Sequence, residues 1–131
     1  MELLNILAAA AGSFAFGAVW YMVLANPWMA AARIEVDENG QPANAADKTP
    51  YLLGIISAIL VAGMMRHIFS MSGVTGMAES IVGGLGIGLF FISPWIMLNN
   101  AFGDRPFKLT LIDGGYATIG CGIMGFILAL F

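Results

Sequence analysis

Ionisable and hydrogen-bonding side chains are scarce in this chain, so the few that fall in apolar surroundings are where chemistry would reside. Asp113 is the clearest, the only charged residue of an apolar run over 109–131. At the helical rise of 1.5 Å per residue it lies about 6 Å beyond the start of that run. Tyr116 follows on the same helical face, Asn99 and Asn100 lie near the end of the preceding run, and Trp20 and Tyr21 lie near the end of the first. An ionisable group in hydrocarbon is costly, and by default it marks a site or a buried pair. Two chemistries suit these six residues at one depth. One is a polar, aromatic-walled site for a small solute or ion. The other is a lock, in which Asp113 accepts hydrogen bonds from Tyr and Asn or pairs with Arg105 or Lys108. At the other end of the helices, Arg66 and His67 precede a short turn at 72–78 and Glu79 follows it. That order predicts a structural Arg66–Glu79 ion pair closing the hairpin.

No catalytic constellation accompanies them. His67 is the only histidine and Cys121 the only cysteine. One histidine without further His or Cys partners makes a poor metal site, and one cysteine gives no disulfide within the chain. No Ser-His-Asp or Cys-His set can be assembled at one depth. The expectation is therefore no enzyme, no catalytic residue, no metal and no cofactor. Gly83, Gly84, Gly86 and Gly88 lie inside an apolar run with no strand before them and no lysine after them, which excludes a phosphate-binding loop.

Four apolar stretches, at about 3–25, 51–71, 79–102 and 109–131, must position these groups. Each has the roughly 20 residues that a helix needs to cross a bilayer. The chain is 60% hydrophobic and 10% charged with a mean hydropathy of +0.87, which excludes a water-soluble core. Its net charge of −3, with only five Lys and Arg, excludes nucleic acid as a partner. The first stretch lacks a basic n-region and exceeds the length of a signal-peptide core, so it reads as a retained helix. The predicted fold is all-α, one integral membrane domain over 1–131: a four-helix bundle with a short interfacial helix after the first span.

Local signals set the boundaries. Pro27 predicts the end of the first helix near Asn26 and a short interfacial helix over 27–34. A polar loop at 35–50 follows, and Thr49 and Pro50 read as the cap and first residue of the second helix. That helix ends around Ser72 and Gly73, the third begins near Gly76 with Glu79 in its first turn, and Pro94 predicts a kink. Residues 104–106 make the last turn. Small residues at spacing four stripe each helix: Ala9, Ser13, Gly17; Gly54, Ala58, Ala62; Ser80, Gly84, Gly88; Gly114, Thr118, Gly122. Such stripes let helices approach closely in lipid, within one chain or between copies. Arg33, Lys48, Arg105 and Lys108 fall on the side of the 26–50 and 103–108 loops, against Arg66 alone on the other. The positive-inside rule then puts those loops in the cytoplasm and both termini outside.

The ordered set Gly17, Ala18, Val19, Trp20, Tyr21, then Trp28, then Pro94 and Asn99, then Leu111 to Tyr116 and finally Met124 and Gly125, resembles the DUF1761 family of small four-span bacterial membrane proteins. The resemblance covers nearly the whole length, weakest between Glu35 and Thr49. It implies a location in the bacterial cytoplasmic membrane and brings no activity with it. Two functional expectations result. The first is a structural or accessory bundle, bathed in membrane lipid, that self-associates as a homo-oligomer. The alternative is a small-solute or ion transporter or channel whose polar site lies near the cytoplasmic ends of helices 1, 3 and 4.

Overall fold

The computed structural model describes residues 2–131. Its elements are α1 (Glu2–Val23), α2 (Ala25–Ala32), α3 (Thr49–Ser72), α4 (Met77–Phe102) and α5 (Phe107–Ala129). All but α2 are long and apolar enough to cross a membrane. Large apolar side chains cover the outside of the molecule, among them Met22, Leu60, Phe90, Phe91 and Trp95. A water-soluble monomer does not expose so many together, whereas acyl chains accept them.

Pro27 breaks the first helix three residues earlier than its position predicts. Its ring clashes with the carbonyl four residues back, which is that of Val23, and α1 stops there. Leu24 leaves the helical range at φ −100°, ψ 19° and α2 begins at Ala25. Packing helps to place α2, which buries Met29 and Ala31 against the bundle and ends at Arg33 with φ 58°. Between Arg33 and Lys48 the chain is a loop with one isolated antiparallel bridge, Val36 to Pro42. Its turn is organised by Asp37, whose Oδ1 accepts the Asn39 and Gln41 amides at 2.9 and 3.0 Å.

The start of α3 corrects the expected cap. Lys48 is the capping residue and Thr49 is already helical, with Pro50 in the first turn. The orphan Thr49 amide is taken by Asp47 Oδ1 at 3.0 Å. That bond holds the Asp47 carboxyl below the ordinary carboxylate range. At its other end α3 closes on Gly73 at φ 72°, with the Gly73 and Val74 amides both donating to the Phe69 carbonyl. This is the left-handed cap that glycine adopts without strain.

The distortion expected at Pro94 takes the form of a π-helical turn over Gly88–Ile92. Proline removes one ladder bond and crowds the preceding turn, and a wider turn accommodates both effects. Ser93 Oγ lies 2.7 Å from the Gly88 carbonyl and 3.2 Å from that of Gly114, so the hydroxyl serves the loosened backbone and faces α5.

Lateral order does not follow chain order. α5 packs on α4 and on α1, and α1 packs on α3, giving the row α3–α1–α5–α4. α3 and α4, although consecutive, meet mainly where the Phe69 ring lies over Gly83. The buried core occupies the half of the bundle near the 73–76 turn. It joins Ala9 and Ala10 of α1, Ala58, Ala62, Met65 and Phe69 of α3, and Cys121, Met124 and Leu128 of α5. Toward the 33–48 loop, α3 is open: Tyr51, Leu52, Leu53, Ile55 and Ile56 are all exposed.

Glycines set the closest approach, between α4 and α5. A Cβ on Gly84 would overlap the Cys121 carbonyl, one on Gly88 the Ala117 carbonyl, and one on Gly125 the Ser80 carbonyl. The stripe Ser80, Gly84, Gly88 thus lies directly on the α5 backbone. Gly122, by contrast, meets the Leu85 side chain and Gly114 meets Ser93.

The expected Arg66–Glu79 pair does not form. Arg66 turns to α1, where its Nε donates to Glu2 Oε1 at 3.2 Å and its Nη1 to Asn5 Oδ1 at 2.8 Å. The cause is the row order, which makes α1 and not α4 the neighbour of α3. Glu79 lies close to Gly76 at its own helix start.

Candidate functional site

The polar residues read from the sequence separate into two groups. Trp20, Tyr21, Asp113 and Tyr116 come together where the end of α1 crosses the start of α5. Tyr21 Oη donates to Asp113 Oδ1 at 2.6 Å, and Trp20 Nε1 donates to the Ile112 carbonyl at 2.9 Å. These two bonds join the same pair of helices at consecutive residues on each.

Glycines make the crossing possible. The Trp20 ring sits against Gly115, where a Cβ would come within 2.8 Å of its Cζ2. The Tyr116 ring sits against Gly17, where a Cβ would come within 2.7 Å of its Cε1. Each helix therefore seats an aromatic of the other on its own glycine, and the exchange brings Tyr21 within reach of Asp113. Tyr21 and Tyr116 meet edge to face with centroids 5.4 Å apart, and Tyr21 meets Trp28 of α2 in the same way at 5.8 Å. Phe16 closes the cluster, 5.6 Å from Trp20 and 6.2 Å from Tyr116. Such pairs contribute about 0.5–1.5 kcal/mol each beyond burial.

Asn99 and Asn100 do not join them. Asn99 is exposed and its carbonyl accepts the Gly103 amide, while Asn100 Nδ2 donates to Thr110 Oγ1 at 3.2 Å, tying the α4–α5 hairpin. Depth alone brings residues to one level; helical phase decides which face each occupies, and these two lie on the α4 side of α5. Sequence reasoning placed Trp28 only at the membrane interface and passed over Phe16. The spacing of four between Phe16 and Trp20, which puts both rings on one helix face, was the available signal.

Chemically the arrangement is a hydrogen-bonded clamp. Asp113 is half-buried and accepts from Tyr21, and two cavities of the molecule are lined by other residues. The first cavity lies at the opposite end beside Arg66. The second is an apolar groove of about 470 Å³ between α4 and α5, bordered by Leu89, Met97, Phe107 and Leu111, with Gly114 and Gly115 among its walls. Among the described residues, no three His, Cys, Asp or Glu side chains gather as a metal ion would require.

No curated protein and no solved structure matches the chain. The model of the family DUF1761, described as a protein of unknown function, matches residues 4–129 and so takes in both arms of the Tyr21–Asp113 clamp. The chain belongs to the DUF1761 family.

Proposed function

We propose that this protein is a structural or accessory component of the bacterial cytoplasmic membrane that assembles with copies of itself and catalyses no reaction. The observation that carries this reading is the Tyr21–Asp113 bond. The carboxyl group set within a membrane-length helix is engaged in joining α1 to α5, and it lines neither of the two cavities described above. A polar group used in this way supports architecture rather than passage. The transporter alternative draws less support, since two of its six site residues, Asn99 and Asn100, stand apart from the carboxylate.

Self-association draws on a glycine that the fold leaves unused and on an apolar groove beside it. A Cβ on Gly86 of α4 would meet nothing within 4 Å, and the apolar groove between α4 and α5 lies open beside Leu89, Met97, Phe107 and Leu111. In lipid, helices associate through such close approach, and a helix of a second copy suits this face. Light scattering of the detergent- or nanodisc-held protein tests it. The wild type should exceed the mass of one copy, and Gly86→Leu, which fits the single chain, should reduce it to one copy while leaving the far-ultraviolet circular dichroism unchanged. A wild type of one-copy mass overturns the proposal.

A further inference from the structure

The end of the molecule where α3 passes into α4 holds a cavity of about 220 Å³ that the clamp does not use. Arg66, Ser70, Thr75 and Ser80 line it together with apolar groups, among them Phe69 and Leu128. Ser80 is itself buried, so the cavity reaches inward to the helix-packed region rather than lying flat on the surface. Arg66 is held in place from α1: Asn5, 1% exposed, accepts from Nη1 and passes its own Nδ2–H to the Leu128 carbonyl at 3.3 Å. The Glu2 carboxylate takes only Nε and is largely in solvent, where such a pair is weak. The Nη2 of Arg66 has no hydrogen-bond partner among the described residues.

A guanidinium fixed in plane, with donors to spare and three hydroxyls around the same space, has the chemistry that recognises a tetrahedral oxyanion. We propose that this cavity binds a phosphate group, carried either on a lipid headgroup as a phosphodiester or as the free anion. Its position at the end of two membrane-length helices, with apolar walls beside the polar ones, suits a headgroup whose chains continue along α3 and α4. The site is independent of self-association and of the Tyr21–Asp113 clamp.

The test uses the full chain in detergent with two probes, phosphatidylglycerol followed by native mass spectrometry and inorganic phosphate followed by thermal shift. Binding of the lipid alone identifies a headgroup; a response to inorganic phosphate identifies the free anion, and either supports the site. Arg66→Gln should weaken the responding probe at least about tenfold, the loss expected for one charge-assisted hydrogen bond. Thr75→Val, which leaves the Arg66–Asn5 bond intact, should weaken it about three- to tenfold. Glu2→Gln should strengthen it by removing the competing carboxylate. Should Arg66→Gln fail to fold, the opposite responses of Thr75→Val and Glu2→Gln decide. Failure of both probes to bind, or equal affinity in wild type, Thr75→Val and Glu2→Gln, overturns the assignment.

Discussion

The bond from Tyr21 to Asp113 is one of two side-chain hydrogen bonds that hold α1 to α5 at their shared end. The donor–acceptor distance of 2.6 Å lies at the short end of the O–H···O range. Interhelical hydrogen bonds in membrane proteins average about 0.6 kcal/mol and reach about 1.7. Tyr21→Phe keeps the ring against Tyr116 and Trp28 and removes only the donor, so it should destabilise the protein in detergent by about 1 kcal/mol. Asp113→Asn still offers an acceptor and should cost less than Asp113→Leu, which leaves the Tyr21 hydroxyl without one. Thermal unfolding monitored by near-ultraviolet circular dichroism reads all three. Equal Tm values for wild type and Tyr21→Phe would show that the clamp contributes nothing. Trp20 gives the same end a second bond through its indole N–H, so neither loss alone should separate the helices.

Among the elements, α5 is the one on which the others are built, and its glycines show how. Gly125 meets the Ser80 backbone, and its neighbours along the same face meet α4 in register; on the other side Gly120 faces Ser13 and Gly115 receives Trp20. Backbone against backbone leaves no flexible side chain to yield, so Gly84→Ala, Gly88→Ala and Gly125→Ala should each cost about 1–3 kcal/mol, as overpacking does, and reduce the yield of folded protein. Gly86→Ala, facing open space on the same helix, should be neutral or gain about 0.5–1 kcal/mol from helix propensity. Chemical unfolding of the four variants in mixed micelles separates the two classes, and similar losses at Gly86 and Gly84 would refute the packing. The stripe Ser80, Gly84, Gly88 was legible from its spacing, as were the spans from their length and apolarity. Its partner face was not, because spacing says that a helix approaches something without saying what. The same limit misplaced Arg66: Glu79 lies 13 positions along the chain and Glu2 lies 64 away, yet row order brings Glu2 near. Asp113, Tyr21 and Trp20 were foreseeable from shared depth, whereas Asn99 and Asn100 required the helical phase.

For the whole molecule, the row α3–α1–α5–α4 creates an asymmetry between its ends. The end near the 73–76 turn is packed around Met65, Phe69 and Met124, while the end near the 33–48 loop is held by the aromatic clamp and leaves the start of α3 unpartnered. Charge follows the same division. Arg33, Lys48, Arg105 and Lys108 all lie at the clamp end, and Arg66 alone lies at the packed end, where Glu2 takes one of its donors. Two of the four are engaged at the surface: Arg33 Nη1 lies 3.7 Å from Asp104 Oδ2, and Lys48 Nζ lies 5.4 Å from the Tyr51 ring centre. Neither contact removes its charge. Since membrane insertion counts Lys and Arg in short loops and gives acids little weight, the clamp end should remain in the cytoplasm despite Asp37, Glu38 and Asp47. With Cys121 buried, single cysteines can report this directly. In intact cells a membrane-impermeant thiol reagent should label a cysteine placed at Thr75 and spare one placed at Asn39, and permeabilised cells should label both. Moving the balance, by Arg33→Gln, Lys48→Gln, Arg105→Gln and Lys108→Gln together, should yield a mixed population in which some Asn39 cysteines become accessible from outside. Labelling of the Asn39 cysteine in intact cells carrying the unaltered charges would reverse the orientation, and would place the Arg66 cavity on the cytoplasmic face.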